Sequence, residues 1–365
     1  MNAAAARIAI ACQGGGSHTA FTAGVLGRLV QHYHQREQQL EGEPACILGL
    51  SGTSGGAMCA LLAWYALLTE DSGGASASRL LDDFWAGNAA TGWWDAVLNA
   101  ALVQANRLEG MVSVPELSPY TFDTFRGLAP PGVRDVLDGA GRLRRLLEQH
   151  VDFAALPALV ESHPAPRLLV AAVDVLSGEF KVFSSDAQPF EITPDALLAS
   201  AALPSLFEAV EIDRHFYWDG LFSQNPPIHD FLSTSLRRDE KPDEIWIVQI
   251  NPESVGSVPR TNAEILDRRN ELGGNLSLNQ EVHFIRRVNA LIRRLQVECN
   301  VQLHPDFKEV RIARITMSEE LSARLDAASK LDRNPRLIAE LKADGARQAA
   351  MFLRRRAAGS LVWEV

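Results

Sequence analysis

Twice near its start the chain sets an apolar run with no polar alternation against a glycine turn and then a helix-compatible segment. Arg7–Cys12 leads into Gly14-Gly15-Gly16 and then about Ala20–Glu37, and Cys46–Leu50 leads into Gly52–Gly56 and then Ala57–Leu68. Strands without alternation are buried on both faces, and a repeated strand–turn–helix unit builds a parallel sheet covered by helices. An α/β fold with a mainly parallel central sheet is therefore expected. Arg167–Val175, Ile245–Ile250 and Val310–Thr316 are further strand candidates. From Arg260 onward the pattern is mostly helical, with a break expected at Gly273-Gly274.

The 365 residues suffice for one large α/β domain with additions. A formal net charge of -10 argues against nucleic acid as a partner, because that binding needs excess Lys and Arg. Cys12, Cys46, Cys59 and Cys299 are scattered without C-x-x-C spacing. Reduced thiols in a cytoplasm fit them better than zinc or a disulfide framework. The apolar run Ile8–Cys12 leads straight into glycines, so it reads as a buried strand rather than a signal peptide. No apolar run approaches the roughly 20 residues of a membrane-spanning helix.

One Gly-x-Ser-x-Gly occurs, at Gly52-Thr53-Ser54-Gly55-Gly56. With Gly and Ser each near ~7% of residues, such a triplet recurs by chance in about one chain in ten of this length. The motif therefore gains its weight from context. An apolar strand before Ser54 and a helix after it place the hydroxyl on a sharp turn at a helix N-terminus, where developing negative charge is favoured. The bland alternative is a serine that merely caps the helix.

The earlier turn, Gln13-Gly14-Gly15-Gly16-Ser17-His18-Thr19, exposes successive backbone N–H groups suited to an oxyanion or phosphate. It matches neither a dinucleotide fingerprint, since Thr19 takes the last glycine's place, nor a Walker loop. A serine needs a base. Of nine histidines, only His283 and His304 come late enough for the Ser…Asp…His order, and neither stands at a strand end. The carboxylate option is Asp219, which ends the run Phe216-Tyr217-Trp218-Asp219-Gly220. Asp-Gly is a common turn dipeptide. Three preceding aromatics nevertheless imply burial, which raises a carboxyl pKa and makes a better base.

These residues together resemble the patatin-like phospholipases, serine acyl hydrolases that use a Ser–Asp dyad. The landmarks fall in family order: Gly14–Thr19 through Gly24-Val25-Leu26, then Gly52–Gly56, then Asp219-Gly220. Ala199–Phe207 is similar to the family's segment before its Asp-Gly, and Asn270–Glu281 to an extension in bacterial members. The resemblance covers most of residues 7–320. It departs at His18 and Thr19, where the family pattern usually has Arg and then Gly, and at Gly55, where Ala is commoner.

The resemblance implies a three-layer α/β/α sandwich of the patatin type, with a catalytic domain over 7–255 and a variable, cap-like insertion over 75–157. A mostly helical C-terminal extension, 256–365, would pack on the same domain. It implies Ser54 as nucleophile and Asp219 as its base, with an oxyanion hole of Gly14, Gly15, Gly16 and Ser17. Gly52, Gly55, Gly56 and Gly220 complete the motifs, and no metal or cofactor is called for. The implied substrate is a lipid or other acyl ester. A general esterase or thioesterase on the same dyad and a catalytically silent lipid-binding regulator are the rival readings.

Weak peripheral contact with a lipid surface is expected from the aromatic crowding of Phe84, Trp85, Trp93, Trp94, Val97 and Leu98. Arg286, Arg287, Arg293 and Arg294, recurring seven residues apart, would add a smaller electrostatic share.

Overall fold

The computed structural model describes residues 6–39, 45–69, 75–108, 119–120, 138–162, 165–204 and 206–364. Of the expected insertion, residues 109–118 and 121–137 lie outside the described residues, as does Ser205.

A mixed, mostly parallel sheet of eight strands forms the middle layer. Its strands are β1 (Ala6–Cys12), β2 (Ala45–Gly52), β3 (Arg167–Asp174), β4 (Phe180–Ser184), β5 (Val210–Ile212), β6 (His215–Asp219), β7 (Glu244–Gln249) and β8 (Arg311–Thr316). The order is β5-β6-β3-β2-β1-β7-β8, with β4 also paired to β3. β1 is central and parallel to both β2 and β7. Its alternate residues feed two cores. Ile8, Ile10 and Cys12 join Trp246 and Val248 on one face, whereas Ala9 and Ala11 join Ile245, Ile247 and Ile312 on the other.

Helices α1 (Ala20–Gln39), α2 (Gly55–Leu68) and α3 (Ala75–Asn88) cover the first face together with the C-terminal helix. The other helices of seven residues or more among the described residues are α4 (Trp93–Leu108), α5 (Gly139–His150), α6 (Leu156–Ser162), α7 (Pro194–Ser200), α8 (Asn262–Arg293) and α9 (Pro335–Ala357). α8 covers the second face through Leu278, Val282 and Ile285. The layers are therefore α/β/α, and the chain beyond residue 255 adds edge strand β8 and a helix to each face.

The antiparallel end of the sheet is built between Val175 and Ile245, where the sequence analysis named no strand of its mainly parallel sheet. β6 runs back along β3 with Ala172 opposite Asp219 and Val173 opposite Trp218. This register carries Asp219 to the end of the sheet where β2 delivers Ser54.

One expectation is corrected. α8 runs unbroken through Gly273-Gly274. A side chain at Gly274 would crowd the Asn251 amide, so this glycine allows close approach within a continuous helix. The aromatic crowding also divides. Phe84 and Trp85 are core residues at 2% exposure, while Trp93 and Trp94 are stacked on the surface at 66% and 53%.

Glycine substitutions should separate packing from backbone freedom. At Gly345 a Cβ would fall 2.0 Å from the Phe21 carbonyl oxygen of α1, whereas at Gly273 it would meet nothing within 4 Å. Gly345→Ala is expected to lose about 1–3 kcal/mol in urea unfolding. Gly273→Ala should gain roughly 0.5–1 kcal/mol, because alanine is the better helix former. Similar effects at the two positions would contradict this packing.

Candidate active site

Ser54 stands between the end of β2 and the first turn of α2, with φ 54° and ψ -131°. A non-glycine residue held there stores roughly 1–3 kcal/mol of strain, so its surroundings must fix it. They do so on both sides. The Thr53 hydroxyl donates to the Gln224 carbonyl at 2.6 Å, and the Ser54 N–H donates to the Ser200 hydroxyl oxygen at 3.0 Å. A Cβ on Gly56 would lie 2.4 Å from the Cys12 carbonyl oxygen, so the elbow needs a small residue where α2 passes β1. Gly52 and Gly55 are similarly tight, the first against the backbone of Gly56 and the second against Thr19.

Asp219 ends β6 and is 1% exposed. Its Oδ1 accepts the Leu221 N–H at 2.9 Å as the cap of the short turn Gly220–Phe222, and its carboxyl accepts the Ser54 hydroxyl. Burial pushes its pKa up to about 7 from the ordinary carboxylate value, against the opposing pull of those two hydrogen bonds. Gly220 lies against the Ala171 carbonyl of β3, which fixes the turn to the sheet.

The glycine loop lies against the elbow, since a Cβ on Gly14 would be 3.0 Å from that of Ser54. The Gly14 N–H is already taken, donating to the Asn225 side-chain oxygen at 2.6 Å. The N–H groups of Gly15 and Gly16 have no acceptor among the described residues. Gly16 has φ +54°, a left-handed conformation suited to glycine, and packs on the Lys330 carbonyl. Ser17 follows, buried, in the single turn Gly16–Thr19.

The side chain of Gln13 anchors the loop's start. Its Oε1 accepts the Ile250 and Asn251 N–H groups at 2.8 and 2.9 Å, and its Nε2 donates to the Gly274 carbonyl and to Asn275.

The departures from the family pattern at His18 and Thr19 resolve into packing. Thr19 is absent from the positive-φ residues, and its hydroxyl donates to the Gly16 carbonyl at 2.6 Å. The loop thus closes into α1 without strain at Thr19. His18 is buried against the Ser329 hydroxyl at 2.8 Å, and burial together with the neighbouring Lys330 charge pushes its pKa down to about 3. A neutral His18 leaves Lys330 as the half-buried cation behind the loop, donating to Asn251 and Asn270, with its own pKa lowered to about 8 by desolvation.

Neither late histidine is a partner of Ser54: His283 is exposed on α8, and His304 sits 3.3 Å from Asp306 on the surface. Ser200, Asn225, Gln13 and Lys330 are the contributors that motif reading missed. Their only sequence signal is polarity within otherwise apolar or glycine-rich stretches. No group of three or more His, Cys, Asp or Glu among the described residues is arranged to hold a metal ion.

Residues 10–232, more than half of the chain, match the family profile described as patatin-like phospholipase. The chain belongs to the patatin-like phospholipase family. The family hydrolyses acyl esters of lipids, so lipid acyl hydrolysis is the general activity that membership carries. The fold is also similar to the crystal structure of VipD from Legionella pneumophila, with a TM-score of 0.41 and 12% identity over 97% of this chain and 67% of that one. No curated protein matches the chain. This patatin-like chain has no helix among its described residues long and apolar enough to cross a membrane.

The buried carboxyl makes a stability prediction. Asp219 holds a proton in the folded state between its ordinary pKa of 3.8 and about 7, where the unfolded chain has lost it. Its contribution to stability is therefore greatest below that window and declines as pH rises through it. At about 1.36 kcal/mol per unit, ionised Asp219 costs up to roughly 4 kcal/mol. Asp219→Asn should be clearly more stable than wild type in urea at pH 8, with the gap closing near pH 4. A gap that is the same at both pH values would mean that Asp219 is not held protonated by burial.

Proposed function

We propose that the chain is a serine lipid acyl hydrolase working through a Ser54–Asp219 dyad and an acyl-enzyme. One arrangement carries this reading: a buried carboxyl whose pKa burial raises stands with the hydroxyl of a strained elbow serine, beside two N–H groups with no acceptor among the described residues. Ionised Asp219 takes the Ser54 proton as Oγ attacks the acyl carbonyl. The negative charge that develops on the carbonyl oxygen is received by the Gly15 and Gly16 N–H groups, with α2's N-terminus adding its dipole. Collapse of the tetrahedral species breaks the ester C–O bond, and Asp219 returns the proton to the departing alcohol oxygen. Water then gives a proton to Asp219 and attacks the acyl-enzyme. The fatty acid leaves as Ser54 recovers its proton. No histidine and no metal take part.

Ser54 with Asp219 as catalytic pair, Gly15 and Gly16 as oxyanion donors, and Gly14 with Ser17 as their frame are thus the proposed roles. Asn225 holds Gly14 and leaves the next two N–H groups pointing free, so it acts as a positioning residue. Activity should rise with pH through about 7 as Asp219 ionises, and this limb belongs to the base rather than to a histidine.

Turnover of a fatty-acyl ester by four variants tests the reading. Ser54→Ala and Asp219→Asn should each lose ~10⁴-fold or more, as expected of residues that act as one unit. His283→Ala and His304→Ala should stay within a few-fold of wild type. A histidine variant as damaged as Ser54→Ala would replace the dyad with a triad.

A further inference from the structure

The outward face of α8 has a composition that its inward face does not explain. Inward, the helix buries Gly274, Asn275, Leu278, Val282, Ile285, Asn289 and Ile292. Outward, Ile265, Leu266, Leu272, Leu276, Phe284 and Leu291 form one exposed stripe, with Leu276 at 60% and Phe284 at 62%. Their spacing keeps them on a single side of a 3.6-residue helix.

Charge is divided in the same way. The acids of α8 are engaged at its start or on its packed side. Glu264 accepts the Thr261 N–H at the cap, and Asp267 accepts the Ala327 N–H at 2.9 Å. Glu271 pairs with Arg268 at 2.8 Å, and Glu281 accepts the Ile228 and His229 N–H groups at 2.9 Å. The exposed arginines of α8 and of the turn that follows it are Arg269, Arg286, Arg287, Arg293 and Arg294. Arg293 pairs with Glu309 and Arg294 with Glu298, whereas Arg269, Arg286 and Arg287 have no ion-pair partner among the described residues. A protein of net charge -10 thus presents, between Ile265 and Leu291, one face on which arginine and apolar side chains alternate without an acid between them.

We infer that this face is the surface by which the protein docks on an anionic lipid bilayer, with α8 lying in the plane of the interface. This inference rests on the lipid hydrolase reading for its purpose, though not for its evidence. A helix of 32 residues with arginines along its apolar stripe cannot cross a bilayer, but it suits the boundary between head groups and acyl chains. A second copy of the chain is the poorer occupant. In a two-fold pairing it would bring the same arginines, again without acids, against this face.

The helix is also tied to the chemistry. The Gly274 carbonyl accepts hydrogen bonds from Gln13 and Asn225, the two side chains that hold the glycine loop. A docked α8 would therefore hold the oxyanion donors at a fixed depth relative to the lipid. The exposed Trp93–Trp94 stack on α4 becomes a secondary contact, which reverses the weighting expected from sequence.

Cosedimentation with vesicles tests this, using Ser54→Ala protein so that the lipid is not consumed. Binding should be strong to vesicles of equal phosphatidylglycerol and phosphatidylcholine, weak to phosphatidylcholine alone, and reduced by salt. Arg269→Glu with Arg287→Glu should weaken it at least about tenfold, since each basic residue near an anionic surface contributes several-fold. Trp93→Ala with Trp94→Ala should change it only a few-fold. Three results would overturn the inference: unchanged binding in the double arginine variant, loss confined to the tryptophan variant, or a dimer in sedimentation velocity that the arginine variant dissociates. Turnover of a short, water-soluble ester by the arginine variant in the Ser54 background should match wild type, which shows that the variant is folded. If wild type itself has no ester turnover while vesicle binding behaves as stated, the hydrolase reading fails and the docking surface stands.

Discussion

The placing of the Ser54 hydroxyl beside the buried Asp219 carboxyl is the arrangement on which this end of the molecule depends. Making it requires a carboxyl with almost no access to water, and such a group resists ionisation. The protein tolerates that cost by letting the carboxyl keep its proton until near neutrality. A base that titrates there is both strong enough to take a serine proton and present in its ionised form at working pH. In the proposed dyad, the instability and the reactivity of Asp219 would have the same cause.

Three structural features have to agree for the contact to exist. The register of β6 on β3 sets Asp219 opposite Ala172, and the elbow after β2 turns Ser54 toward it. The glycine loop after β1 then has to lie against the elbow, and it is clamped there from outside the family-matched residues. Gln13 reaches the α8 backbone, Asn225 reaches both Gly14 and Gly274, and the segment around Lys330 backs Gly16. The C-terminal part of the chain is thus a structural component of the site as well as a cover for the sheet.

Much of the framework was legible in sequence because its physics is local. The unalternating strands Arg7–Cys12 and Cys46–Leu50 read as buried parallel strands, and the structure has them as β1 and β2 with ends shifted by a residue or two. The candidate serine and aspartate were legible through turn chemistry. What was not legible depends on contacts distant in sequence. β4, β5 and β6 are short and partly polar, and they become strands only by pairing with β3 or each other. Gly273-Gly274 reads as a helix break because local propensity says so, yet the packing of α8 on Asn251 and the glycine loop overrides it. Phe84 and Trp85 differ from Trp93 and Trp94 in nothing the sequence displays. Only the position of each helix face relative to the core separates them.

The central claim is that one buried carboxyl activates Ser54. Fluorophosphonate labelling of the wild-type protein, followed by mass spectrometry across pH, addresses it most directly, because the reagent reports the nucleophile without any choice of lipid. The adduct should form on Ser54, at a rate that follows the ionisation of a single group near pH 7, and should be nearly absent in Asp219→Asn. Rapid labelling of Ser54 in Asp219→Asn, with the same pH dependence as wild type, would show that another group is the base and would contradict the account.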